Sequence, residues 1–112
     1  MPSNANPENV VRIGQYQLEN LLKNKIGFAY LDLRDPKTRE NEYSGHPLLA
    51  GSQSVAPEKA VEHVRALNIP NHAPIVLICE NGAKSLGAAL ELEDNLYINV
   101  FIIEGGIKGL SF

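Results

Sequence analysis

The pattern of apolar and polar positions alternates between short continuous apolar runs and stretches in which apolar residues recur every three or four positions, and this alternation predicts the elements. After residues 1–9, expected to be a frayed tail from their two prolines and three asparagines, Val10, Val11 and Ile13 predict a short edge strand. Tyr16, Leu18, Leu21 and Leu22 share one helical face, and Gly27 is placed to stop that helix. Phe28 to Leu33 then predicts a central strand that carries Asp32, Arg34 and Asp35 to its carboxyl end before Pro36 breaks it. A long polar connection follows from Lys37 to Ser54, punctuated by Gly45, Pro47 and Gly51, with one or two helical turns expected over Lys37 to Tyr43 and a very short strand over Ser52 to Val55. Ala60, Val61, Val64 and Leu67 form the apolar face of a helix that starts with Pro57 in its first turn and is closed by Pro70. Ile75 to Ile78 is an unbroken apolar run, mostly β-branched, as expected of a strand buried on both faces. Helical spacing resumes from about Ala83, through Leu86, Ala89 and Leu90, and YINVFII predicts a last strand that ends at Glu104, Gly105 and Gly106. Alternating strands and helices predict an α/β domain over residues 10–112, with a mainly parallel sheet of about five strands, helices on both faces, and ligands at the carboxyl ends of the strands.

The chemistry gathers where the buried strand ends. Ile78 is followed by Cys79, the single cysteine, and then by a tight loop that opens a helix. The first N–H groups of a helix have no intrahelical partner and carry the positive end of its dipole, so an anion at that loop is stabilised, and a thiolate is such an anion. Gly82 allows positive φ, so that successive N–H groups can turn inward around the sulfur. A lone cysteine at the end of a core strand is more often inert packing than a nucleophile, and the composition of CENGAKS, with a glycine, a cation and a hydroxyl just after the thiol, shifts the balance toward chemistry.

Composition narrows the setting. A chain of 112 residues suits one domain with one core, and 44% hydrophobic with 21% charged residues is ordinary for a globular protein. A net charge of −3 offers no footprint for nucleic acid, and no apolar run approaches the roughly 18 residues of a membrane helix. Without a signal-like start, and with a single cysteine that cannot form an internal disulfide, a cytoplasmic location is expected. His63 in a helix and His72 in a proline-flanked loop have no partner at metal-ligand spacing, so no metal is expected.

Three motifs, in order and over about Val10 to Leu110, give the chain a resemblance to the rhodanese-like sulfurtransferases. LDLRD resembles the family's DxR segment through Asp32 and Arg34, Gly45 and His46 resemble its GH pair, and CENGAK resembles its six-residue active loop, with Gly82 on the glycine and Ser85 next. The terminal EGGIKGL is similar to the family's GG turn. The resemblance implies that Cys79 takes the outer sulfur of a small sulfur-containing anion such as thiosulfate, or of a persulfide donor. The sulfur is carried as a persulfide and passed to cyanide or to a thiol, that of a protein included, without an organic cofactor, a nucleic acid or a membrane. It implies that backbone N–H groups across Glu80, Asn81, Gly82, Ala83, Lys84 and Ser85 hold the anionic sulfur, that Lys84 attracts the donor, and that His46 is a structural histidine bonded to backbone. Charged residues at a strand end commonly form a surface ion pair; a structural role near the loop is favoured for Asp32 and Arg34. The chain also departs from the pattern. Lys84 replaces an arginine, Glu80 adds a negative charge beside the thiol, and PLLAGSQSV lengthens the connection after His46. Two other readings stand beside this one. A cysteine phosphatase or arsenate reductase requires an arginine fork where this chain has Ser85, and a non-catalytic rhodanese-like binding module is favoured by Glu80 and opposed by Cys79.

Overall fold

The computed structural model describes residues 10–24, 28–41 and 46–110. The expected tail over residues 1–9, the helix stop at Gly27, Tyr43 and Gly45 lie outside the described residues. In chain order the elements are β1 (Val11–Ile13), α1 (Gln15–Lys23), β2 (Ala29–Asp32), α2 (Pro36–Asn41), β3 (Gln53–Ser54), α3 (Ala60–Ala66), β4 (Ile75–Ile78), α4 (Ala83–Asp94) and β5 (Val100–Ile103). Three-ten turns lie at Pro47–Leu49, Pro57–Lys59 and Gly106–Gly109. All strand pairs are parallel and the order is β1-β5-β4-β2-β3, which puts β4 at the centre and β1 at an edge.

Burial explains why β4 reads as an unbroken apolar run. All four of its residues have 0% exposure, because the pleat sends alternate side chains into two separate cores. On one face Leu31, Ile75, Leu77 and Ile102 pack with Val61 and Val64 of α3 and Ala88, Ala89 and Leu92 of α4. On the other, Tyr30, Val76, Ile78 and Ile103 pack with Leu18 of α1 and with Leu48, Leu49 and Ile107 of the three-ten turns. The Tyr30 hydroxyl crosses the second core to donate to the Leu48 carbonyl at 2.9 Å. Burial first, and the nearby Asp32 charge second, push that phenol well above its ordinary range against an opposing pull from Arg34, which keeps it a donor.

The structure corrects four details of the sequence reading. β5 begins at Val100 and not at Tyr97, because Tyr97 N–H bonds back to the end of α4 at the Leu92 carbonyl and Ile98 N–H bonds to Asn71, so neither joins the ladder. Pro36 does more than break a strand. It opens α2, with the Asp35 carboxylate accepting the Lys37 N–H at 3.0 Å. Pro57 sits in a separate three-ten turn before α3 and not in that helix's first turn. Leu67, expected on the buried face of that helix, follows its end at Ala66 and is half exposed. Among the described residues no helix is long and apolar enough to cross a membrane.

Candidate active site

β4 delivers Cys79 to the carboxyl end of the sheet, and α4 starts four residues later. Between them Gly82 takes a left-handed conformation with φ of 94°, which side chains with a Cβ adopt at a cost. Asn81 braces the turn by accepting the Ala83 N–H on its side-chain oxygen at 3.1 Å. This geometry brings two N–H groups onto the Cys79 sulfur: Gly82 N lies 3.0 Å from Sγ and Ser85 N lies 3.4 Å from it. The free thiol is buried and belongs to the same apolar cluster as Leu77 and Ile102, where an inert cysteine would also sit. What sets it apart is the pair of backbone donors aimed at the sulfur. Asn81, Ala83 and Lys84 of the same loop are exposed.

The loop is held from behind by the turn after β5. Ile107 N–H donates to the Cys79 carbonyl at 2.7 Å and Lys108 N–H to the Glu80 carbonyl at 3.1 Å. Gly106 is what permits this approach: at φ of +64°, a Cβ built on it would lie 2.5 Å from the Cys79 oxygen and 2.6 Å from the Asn81 nitrogen. The sequence marked the EGG turn as a strand end; its contact with the thiol loop is a tertiary feature with no local signal.

Lys84 in the first turn of α4 and Glu80 in the loop before it form an ion pair, with Nζ 3.9 Å from Oε2. Their charges therefore offset each other at the rim, with Glu80 the more covered of the two. Ser85 presents its N–H to the sulfur while its side chain is fully buried.

Asp32 and Arg34 form a buried ion pair, not a surface one. Arg34 Nη2 lies 2.8 Å from Asp32 Oδ2, and both side chains have 0% exposure. The Asp32 carboxylate also accepts Arg34 Nε and the Arg34 backbone N–H, which satisfies it as burial demands. The register pairs Asp32 with Ile78, and Leu33 N–H bonds to the Ile78 carbonyl at 2.7 Å, so this cluster braces the strand one residue before the thiol. Sequence reasoning missed Arg39. It returns from α2 to place Nε 3.1 Å from Asp32 Oδ2 and to bond the Ser52 carbonyl at 2.8 Å, joining three segments through one guanidinium. The one local clue is the helix start at Asp35-Pro36; Arg39 is the fourth residue of α2, and its contact with Asp32 forms only in the fold. His46 caps the Pro47–Leu49 turn, where its Nδ1 accepts the Leu48 N–H at 3.1 Å.

A parallel sheet whose central strand ends on a thiol beneath a helix N-terminus defines a class of α/β domains, and residues 15–111 match the family model of the rhodanese-like domain. The chain belongs to that family. It is 28% identical over 82 residues to the thiosulfate sulfurtransferase GlpE of Pseudomonas fluorescens, a match that covers 73% of this chain and 69% of that one. Among solved structures it resembles a rhodanese-like domain protein of Staphylococcus aureus, with a TM-score of 0.71, 17% identity, and 91% of this chain and 92% of that one covered. It also resembles a Rhodopseudomonas palustris protein of unknown function, described as a possible tyrosine phosphatase, with a TM-score of 0.74 at 20% identity over 88% of this chain and 77% of that one. At these identities the structural likenesses establish the fold.

Proposed function

We propose that this protein is a sulfurtransferase in which Cys79 carries the sulfur. The observation that supports this reading most is the pair of N–H groups from Gly82 and Ser85 on Sγ of the chain's single cysteine. In the loading step the Cys79 thiolate attacks the outer sulfur of thiosulfate. A new S–S bond forms, the old one breaks with its electron pair going to sulfite, and the enzyme is left as an anionic persulfide. In the unloading step cyanide or a thiolate attacks the terminal sulfur and the electron pair returns to Cys79, giving two half reactions and ping-pong kinetics. The sulfurtransferase relative is consistent with this chemistry. A single thiol kept reduced suits a cytoplasmic setting.

Incubation with thiosulfate is expected to add the mass of one sulfur atom to the intact protein, and Cys79→Ser is expected to abolish the gain. A variant that still gains sulfur would remove Cys79 from its role, and a wild-type protein that never loads would favour a binding module. Phosphoryl transfer is the weaker reading, because the residue where an arginine fork would clamp the phosphoryl oxygens is Ser85, which is buried.

The rim charges make a second expectation. Glu80→Ala leaves Lys84 unopposed and is expected to raise kcat/KM for thiosulfate, and Lys84→Ala to lower it, each by roughly two- to fivefold for a partly exposed pair. Added salt should shrink both effects. Steady-state kinetics at low ionic strength test this, and two unchanged variants would assign donor recognition to the backbone alone.

A further inference from the structure

Asn81 is the one asparagine in the chain that a glycine follows. A glycine has no Cβ to keep its own peptide nitrogen away from the side-chain amide before it. The fold leaves this pair within reach of that encounter. Asn81 is exposed, and the bonds from Ile107 and Lys108 end at the Cys79 and Glu80 carbonyls, just short of the Asn81–Gly82 peptide. The side chain is also already turned. Its Oδ1 accepts the Ala83 N–H at 3.1 Å, closing a ring that folds the amide carbon Cγ back toward the Gly82 nitrogen. That donor opens α4, where the N–H groups carry positive charge, and it sits on the oxygen that turns negative when Cγ is attacked.

We propose that the Asn81–Gly82 peptide is a self-modification site, at which deamidation, with water as the only co-reactant, switches off the thiol loop. The Gly82 nitrogen gives its proton to solvent and its electron pair to Cγ of Asn81. The bond from Cγ to the side-chain nitrogen breaks, and ammonia leaves after taking a proton back from solvent. A succinimide ring remains. Water then adds to one of its two carbonyls and breaks the bond from that carbon to the Gly82 nitrogen, which regains a proton. A carboxylate is left, on an aspartyl or an isoaspartyl residue according to the carbonyl attacked.

Each product alters the site in its own way. The succinimide nitrogen carries no hydrogen, so the donor now 3.0 Å from Cys79 Sγ is lost. The isoaspartyl chain regains an N–H but runs through Cβ, and the longer backbone moves that N–H off the sulfur. The aspartyl product keeps the backbone and sets a second carboxylate beside Glu80, which opposes a dianionic donor. The modification stands apart from the sulfurtransferase reading, whereas its effect on loading rests on it.

The test ages the whole protein at mildly alkaline pH, reads every asparagine by peptide mapping, and reads thiosulfate loading by intact mass. The Asn81 peptide is expected to gain the mass of an amide turned to an acid severalfold faster than any other asparagine. Loading is expected to fall in step with the combined succinimide and isoaspartyl fraction. Asn81→Ser keeps a side-chain oxygen that can accept the Ala83 N–H and has no amide to lose, so it is expected to retain its own starting rate of loading through the same incubation. The inference is overturned if Asn81 gains mass no faster than the other asparagines, if converted protein loads as fast as fresh protein, or if Asn81→Ser loses loading as quickly as wild type. Fresh wild-type protein that takes up no sulfur would sink the sulfurtransferase reading, while the mass gain at Asn81 would still decide the modification.

Discussion

Asp32→Ala is expected to destabilise the protein by about 3–5 kcal/mol and to lower its melting temperature by on the order of 15 °C. The carboxylate it removes is fully buried and faces two guanidinium groups, Arg34 Nη2 at 2.8 Å and Arg39 Nε at 3.1 Å. Arg34 cannot recover by turning to water, because its side chain also has 0% exposure. The loss is therefore dominated by a buried positive charge whose main counter-ion has gone, and not by the intrinsic strength of one ion pair. Asp32→Asn keeps an acceptor of the same shape and should fall between wild type and alanine. Asp32→Leu combined with Arg34→Met removes both charges and should restore much of what Asp32→Ala loses. Urea unfolding followed by circular dichroism measures all three, and a loss under about 1 kcal/mol for Asp32→Ala would mean that water reaches the cluster.

Gly106→Ala is expected to combine the second-largest loss of stability, about 3 kcal/mol or more, with loss of sulfur loading. The new methyl would meet the Cys79 oxygen at 2.5 Å, the Asn81 nitrogen at 2.6 Å and the Glu80 carbonyl carbon at 2.7 Å, all backbone atoms that cannot rotate aside. The turn must then withdraw from the loop, which breaks the Ile107 N–H bond to the Cys79 carbonyl and releases the geometry that aims Gly82 N–H at the sulfur. Gly82→Ala is the control. Its φ of +94° is strained for alanine, yet the nearest atom to its Cβ is 3.7 Å away, so it should cost only about 1–2 kcal/mol. Melting temperatures of the two variants, with thiosulfate loading read by mass, separate contact from strain; equal losses would refute the contact argument.

The parts of this fold that are legible in the sequence are those where burial is continuous along the chain. β4 is apolar at every position because both of its faces are covered, and Cys79 stands out because it ends that run. β1 could be read as an edge because its apolar stretch is short, and Val11 is indeed about half exposed there. What could not be read depends on segments that meet only after folding. Tyr97 to Asn99 has the composition of a strand, but its N–H groups at Tyr97 and Ile98 are claimed by the end of α4 and by Asn71. Arg39 looks like any charged residue of a polar connection until α2 carries it back to Asp32. The close approach of Gly106 to the thiol loop leaves no periodicity at all, only a glycine at a strand end.

The turn that clamps the thiol loop also fixes when the site can be assembled on the ribosome. Synthesis delivers Cys79 and Glu80 well before Gly106, Ile107 and Lys108, and β1 waits just as long for β5, its sheet neighbour among the described residues, since Val11 pairs with Phe101. These are contacts of high sequence separation, the kind that form late because the intervening chain must first be ordered. A nascent chain that has exposed β4 and α4 but not residues 106–108 thus carries the cysteine with its carbonyl unclamped, and the sheet has no β1 strand until β5 arrives. The cradle around the thiol therefore completes together with the sheet, once β5 and the turn after it are in place.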